Sequence, residues 1–246
     1  MNKRIDKSVI VLVVGGYLAY VFLTFDDAHK EITPPILAAD FSNLDRDIKE
    51  ARGAGAAYLH LDVMDGSLVQ NISFGFSVIS AIAPIAEKPM DVHLMIVNPD
   101  KYFGRCAELG ASMVSFHLEA ARKARKSAAR MLDNIRSLGM KAGLAINPDI
   151  PVQEVFPYIK HADYILVMSV FAGFGGQQFI EDTFKRVSSL KEEIMRQGAG
   201  CMIQIDGGAS LANASAIYES GADIIVAGSA VFKAEDPGAM IEAMKA

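Results

Sequence analysis

From Ile32 onward the chain alternates short apolar runs with longer amphipathic ones. The apolar runs are Ile32–Ala38, Tyr58–Val63, Met90–Ile96, Ser112–Phe116, Lys141–Ile146, Tyr164–Met168, Met202–Ile205 and Ile224–Ala227. Most are apolar on both faces, as strands covered on both sides must be. The stretches between them, such as Leu44–Arg52 and Phe184–Arg196, carry helical spacing. Strand–helix alternation implies parallel pairing with right-handed crossovers, and eight units predict closure into an α/β barrel of the (β/α)8, or TIM, type. A weak repeat supports this frame. Gly55-Ala56, Gly110-Ala111 and Gly221-Ala222 each stand just before an apolar run, where a left-handed glycine would end the preceding helix. No linker or low-complexity tract divides residues 32–246, so they are expected to form a single domain.

Residues 1–31 do not fit that pattern. Ser8–Phe25 is uncharged and mostly apolar, preceded by Lys3, Arg4 and Lys7 and followed by Asp26 and Asp27. Its length is at the lower limit for a membrane-spanning helix. Two readings stand for this extra N-terminal apolar segment: an anchor or targeting segment with membrane contact, or a dispensable extension. Positive-inside logic would place the barrel of an anchored form beyond the membrane. A cytoplasmic barrel is the expectation, with an anchored or targeted form as the alternative.

Length and composition agree with one large core. The chain has 246 residues, 51% hydrophobic and 22% charged, with a net charge of −5. No basic face for nucleic acid is present in the pattern. Cys106 and Cys201 are far apart and suggest no disulfide framework, which fits a reducing compartment.

Barrel chemistry belongs at the C-terminal ends of the strands, and polar residues gather there. In His60-Leu61-Asp62-Val63-Met64, alternation puts His60, Asp62 and Met64 on one face and Leu61 and Val63 on the other. The third run repeats this with Asp91, His93 and Met95 against Val92 and Leu94. The seventh ends Gln204-Ile205-Asp206-Gly207-Gly208. A lone inward histidine is usually a core residue. Two histidines with two aspartates converging on one mouth are different, because buried carboxylates need a partner charge. A divalent cation supplies it, and a His2Asp2 set suits Zn, Fe, Mn or Co. A second constellation is glycine-rich: Gly173-Phe174-Gly175-Gly176-Gln177, Gly207-Gly208 and Gly228-Ser229 follow the last three strands. Their backbone N–H groups are expected to bind a phosphate.

Taken in order and spacing, these motifs resemble the ribulose-phosphate 3-epimerase family. The carrying segments are Ile36-Leu37-Ala38-Ala39-Asp40-Phe41, His60 to Gly66, Asp91 to Ile96, Met168-Ser169-Val170, Gly173 to Gln177, Ile205 to Gly208 and Val226 to Ala230. The resemblance implies that His60, Asp62, His93 and Asp206 bind one divalent metal ion and that Asp62 and Asp206 are also the acid–base pair. It implies that Gly173, Gly175, Gly176, Gln177, Gly207, Gly208, Gly228 and Ser229 hold substrate and phosphate. Met64, Met95 and Met168 match methionines lining the site, although packing of the barrel mouth explains them equally well. His117, in His117-Leu118-Glu119, matches a supporting site residue and reads equally well as structural. The implied reaction is 3-epimerisation of D-ribulose 5-phosphate to D-xylulose 5-phosphate, an isomerase step of the pentose phosphate pathway, by 1,1-proton transfer through an enediolate. A homo-oligomer is expected.

Three positions depart from the family pattern. Pro35 stands where a serine is usual, Phe171-Ala172 where Asn-Pro or Asp-Pro is usual, and Gln70 where a proline is usual. They alter the sugar's surroundings, not the proposed ligands. The runner-up substrate is accordingly a hexulose phosphate such as allulose 6-phosphate. A phosphoribosyl decarboxylase would carry a catalytic lysine between acidic residues at a strand end, and the second run has none. A different class, a catalytically weak membrane-tethered phosphate-binding protein, is motivated by Ser8–Phe25 and Pro35 and opposed by the complete ligand set.

Overall fold

Parallel strands that are apolar on both faces need helices outside and a filled interior inside. The computed structural model, which describes residues 7–14, 17–24 and 30–246, meets that need with a barrel. Its strands are β1 (Lys7–Val14), β2 (Tyr17–Thr24), β3 (Glu31–Thr33), β4 (Leu59–Met64), β5 (Met90–Met95), β6 (Ala111–His117), β7 (Lys141–Ile146), β8 (Tyr164–Met168), β9 (Met202–Asp206) and β10 (Ile224–Val226). β3 to β10 form one parallel sheet in the order β3-β10-β9-β8-β7-β6-β5-β4. Helices alternate with these strands, as predicted, and the expected (β/α)8 barrel is present.

The barrel's last join is its thinnest. β3 meets β4 through a parallel bridge between Pro35 and His60 and two hydrogen bonds, Ala57 N to Ile32 O at 3.1 Å and His60 N to Pro34 O at 3.3 Å. The run Ile32–Ala38 was expected as one strand. Instead β3 stops at Thr33 and Ile36–Ala38 forms a turn of 3-10 helix. Pro34 and Pro35 have no N–H to donate, so the ladder cannot continue through them.

Helix ends fall where the chain signals them. Gly55, Gly110 and Gly221 have φ of 86°, 79° and 112°, each turning the chain from a helix into a strand. Side chains sort as alternation requires. Leu61, Val63, Val92 and Leu94 join the cluster beneath the helices, whereas Met64 and Met95 pack at the mouth. Burying each such leucine contributes about 1.5–3 kcal/mol.

The segment Ser8–Phe25 departs from the expected apolar helix. β1 and β2 pair antiparallel, from Lys7 opposite Thr24 to Val14 opposite Tyr17. The two stretches are rich in Val, Ile and Tyr, which favour strands. Residues 15–16 and Phe25 lie outside the described residues. Among the described residues no helix is long and apolar enough to cross a membrane.

Candidate functional site

Strand register assembles the site. His60 is opposite Asp91 and Asp62 is opposite His93 on β4 and β5, while Asp206 is opposite Met168 on β9 and β8. Asp206 and Met168 end their strands, Asp62 and His93 lie in the second half of theirs, and His60 and Asp91 lie deeper in the barrel. One donor atom from each of His60, Asp62, His93 and Asp206 lies within 4.8 Å of the others. His60 Nε2 is 3.2 Å from Asp62 Oδ1 and 4.0 Å from Asp206 Oδ2. His93 Nδ1 is 3.1 Å and 3.8 Å from the same two atoms.

A second layer fixes each histidine. His60 Nδ1 donates to Asp91 Oδ2 at 2.8 Å. Asp91 is itself held by Tyr164 Oη at 3.0 Å and Gln204 Nε2 at 2.6 Å. Tyr164 occupies the barrel interior because β7 has glycine there: a Cβ on Gly143 would collide with its ring. On the other side, His93 Nε2 is 2.9 Å from His117 Nε2, and the two rings stack with centroids 5.0 Å apart. His117 Nδ1 faces Glu119 Oε1 at 3.6 Å. Glu119 Oε1 accepts from Asn147 N at 3.1 Å and Asn147 Nδ2 at 2.9 Å. Asn147 Oδ1 accepts from Ala172 N at 2.9 Å. The buried Arg186 donates to the carbonyls of Met168 and Asn147, both at 2.9 Å.

Burial and neighbouring charge divide the protons among these groups. Burial and the adjacent Asp62 charge push Asp206 up to about 7, against the pull of His60. Asp62 feels the same burial, but His60 and His93 outweigh it and hold it well below the usual carboxylate range. For His60, burial is outweighed by Asp62 and Asp91, which raise it well above the usual imidazole value. His93 is depressed to about 4 by burial, against the pull of Asp62 and with His117 and His60 adding to the effect. Burial raises Glu119, yet His117 and Asn147 outweigh it and bring it to about 2.

The fully buried His60 Nε2 has no hydrogen-bond partner despite its closeness to Asp62. It faces the centre with two carboxylates and a second imidazole. A donor set of two imidazoles and two carboxylates fits a borderline divalent cation. These four residues could therefore hold a metal ion.

Above them lies a cavity of about 640 Å³. Asp62, Asp206, Met64, Met95 and Met168 line it, as do all eight residues expected to bind substrate: Gly173, Gly175, Gly176, Gln177, Gly207, Gly208, Gly228 and Ser229. Glycine is required at two of these. A Cβ would press on Val170 at Gly207 and come within 2.6 Å of Phe179 N at Gly208. Two expectations change. His117 does not line the cavity but lies behind His93, fully buried. Gln177 turns its amide into its own loop, donating to the carbonyls of Phe171 at 2.6 Å and Phe174 at 2.8 Å. It braces that loop. Pro35, Phe171 and Ala172 line the cavity as the sequence departures suggested, although Phe171 is half exposed.

Several residues escaped the reading of the sequence. Lys233 is the cation among the lining residues, placed by the turn after Ser229–Phe232. Tyr164, Asn147 and Arg186 support the site from distant segments. Only Asn147, just after the fifth run, carried a positional signal.

The comparisons agree with this geometry. A profile of the Ribulose-phosphate 3 epimerase family matches residues 31–232. A ribulose-phosphate 3-epimerase of Synechocystis is 43% identical, over 82% of this chain and 87% of its own. One of Aquifex aeolicus is 40% identical over 88% and 96%. The chloroplastic ribulose-5-phosphate-3-epimerase of Arabidopsis thaliana is 40% identical over 87% and 76%. Among solved structures, 3-hexulose-6-phosphate synthase from Salmonella typhimurium superposes with a TM-score of 0.62 at 13% identity, covering 87% of this chain and 96% of its own. Orotidine 5'-phosphate decarboxylase from Pyrococcus horikoshii gives 0.60 at 14%, covering 87% and 97%. Those two likenesses concern the fold alone. With its profile match, its relatives and its intact strand-end motifs, the chain belongs to the Ribulose-phosphate 3 epimerase family.

Proposed function

We propose that this protein interconverts D-ribulose 5-phosphate and D-xylulose 5-phosphate by moving a proton at C3. The observation that carries the reading is the meeting of two carboxylates, Asp62 of β4 and Asp206 of β9, at one centre that lines the cavity. Inversion needs a base on one face of a planar enediolate and an acid on the other. Asp62, ionised, removes the C3 proton. Asp206, which holds a proton up to about pH 7, delivers one to the opposite face. The roles exchange in the reverse direction. His60 and His93 position the two carboxylates, and the methionines at 64, 95 and 168 keep water from the reacting carbon.

A divalent cation held by His60, Asp62, His93 and Asp206 would polarise the C2 carbonyl and stabilise the developing negative charge. Zn, Fe, Mn and Co all suit the donor set. The backbones of Gly176, Gly207, Gly208, Gly228 and Ser229 are assigned to the phosphate, with Lys233 supplying charge. Gly173, Gly175 and Gln177 shape the loop over the sugar. The relatives reported above carry ribulose in their names, which favours the pentulose over a hexulose phosphate.

We take residues 32–246 as the catalytic unit and assign the N-terminal segment no part in catalysis. The buried free thiols of Cys106 and Cys201 support a reducing compartment such as the cytoplasm. Incubating the purified, cation-loaded protein with D-ribulose 5-phosphate should produce D-xylulose 5-phosphate. Absence of turnover with several cations would remove the assignment.

A further inference from the structure

Five residues form a polar chain from the centre to the loop over the cavity, hydrogen-bonded at every step but one: His117 Nδ1 has no hydrogen-bond partner and faces Glu119 at an ion-pair distance. It runs His93, His117, Glu119, Asn147 and the backbone of Ala172, with contacts of 2.9, 3.6, 2.9 and 2.9 Å. His93 and His117 are fully buried, so no water competes for their ring nitrogens. Each neutral imidazole has one N–H and one lone pair, so fixing one nitrogen fixes the other.

The direction of the chain follows from its far end. Asn147 uses both its backbone N–H and its side-chain amide on Glu119 Oε1, and its own Oδ1 is engaged by Ala172 N. Its amide therefore has one orientation. Glu119, receiving two N–H donors, is an ionised acceptor facing His117 Nδ1. It favours a proton on that nitrogen, which leaves His117 Nε2 as the acceptor. His93 must then donate from Nε2, and its Nδ1 is bare. That is the nitrogen aimed at Asp62 and Asp206. Asp62 pulls the other way, since at 3.1 Å it attracts a proton onto His93 Nδ1.

We propose that Glu119 is a positioning residue that acts through His117 to set the tautomer of His93, freeing Nδ1 for a cation. The proposal rests on the cation reading of the centre. Without Glu119, Asp62 is unopposed and His93 Nδ1 keeps a proton that the cation must displace. The effect therefore falls on cation affinity rather than on turnover of the loaded enzyme, because neither Glu119 nor His117 lines the cavity.

The test titrates the cation-free full-length protein with Co²⁺ at pH 8, following visible absorption. Wild type should bind one equivalent. Glu119→Ala should weaken binding by about 10- to 100-fold, the range for supporting partners of metal ligands. Glu119→Gln keeps an oxygen for Asn147 but no charge, and should fall between. His117→Phe keeps a stacked ring without an acceptor and should match Glu119→Ala. Because the residues act in series, the double variant should lose no more than either single one. Saturating Co²⁺ should restore turnover in each. Wild-type affinity in Glu119→Gln and His117→Phe, or additive losses in the double variant, would overturn the proposal. Failure of the wild type to bind Co²⁺ would overturn the cation reading itself.

Discussion

Asp62 and Asp206 present their carboxylates within 4.8 Å of one another, yet hold opposite protonation states. Asp62 is ionised by the histidines beside it, while Asp206 is kept protonated to about pH 7 by burial and by Asp62 itself. Like charges so close cannot both ionise freely, and the fold resolves this by giving both imidazoles to one of them at shorter range.

Either aspartate changed to asparagine keeps the shape but cannot exchange the proton. Turnover should fall by roughly 10²–10⁴-fold in Asp62→Asn and in Asp206→Asn. In D2O the wild type should place deuterium at C3 of the product. Epimerised product without deuterium would rule out an enediolate.

Cation binding should release the proton that His60 holds in the cation-free protein, while Asp206 keeps its own for the transfer to C3. At pH 6 about one proton should be released per Zn²⁺, because a bound imidazole must be deprotonated. Calorimetry in buffers of different ionisation enthalpy counts it. His93→Ala should lose the cation, and full cation content in that variant would take His93 out of the centre.

Stability follows the same groups. Asp206 is raised in the folded state from 3.8 to about 7, so the unfolded chain releases its proton first as pH rises. Its contribution is complete below about pH 4 and is lost as pH rises through 7. His60, also raised, acts in the same direction. Cation-free protein should therefore melt lower at pH 8 than at pH 6, and saturating Zn²⁺ should narrow or reverse the difference. Equal melting temperatures without the cation would contradict the assigned protonation.

Returning Pro35, Phe171 and Ala172 to the family pattern should not act uniformly. Phe171→Asn removes a half-exposed ring beside a polyhydroxylated substrate and should lower KM. Pro35→Ser restores a hydroxyl at the cavity wall and should do the same. Ala172→Pro, by contrast, deletes the N–H that engages Asn147 Oδ1. Leaving that acceptor unpaired costs about 1 kcal/mol, so KM should rise about fivefold. The family pattern has Asn-Pro as a pair; the hydrogen bond separates the two positions.

Removing residues 1–29 should leave specific activity unchanged, read with D-ribulose 5-phosphate on the purified barrel. The cut spares Lys30, whose Nζ donates to Lys245 O at 3.0 Å and ties the barrel's start to its end. A truncated protein that folds but is inactive would place the N-terminal segment in the enzyme.

What was legible in the sequence was periodic or paired. Alternation in His60 to Met64 and Asp91 to Met95 gave the inward faces, because side-chain direction on a strand depends only on parity. The same argument misjudged Ile32–Ala38, where two prolines override hydrophobicity. It also passed over Gly15-Gly16 within Ser8–Phe25, two residues that divide the stretch into strand-sized halves. For His117 the resemblance left a supporting and a structural role open, because a match in sequence fixes a position but not a depth. Tyr164 and Glu119 reach the site across strands, and only the register of β5, β6, β7 and β8 brings them there.

The join between β3 and β4 gives the four ligands a mechanical meaning. His60 and Asp62 sit on β4, at one end of the hydrogen-bonded sheet, and Asp206 sits on β9, near the other. A cation between them would span the seam like a rivet, reinforcing from β4 to β9 a closure that the backbone makes between β3 and β4 through one bridge and two hydrogen bonds. Demetallation would then do more than silence the chemistry. Amide exchange in Leu59–Met64 should accelerate ahead of the rest of the barrel, opening the cylinder along that seam.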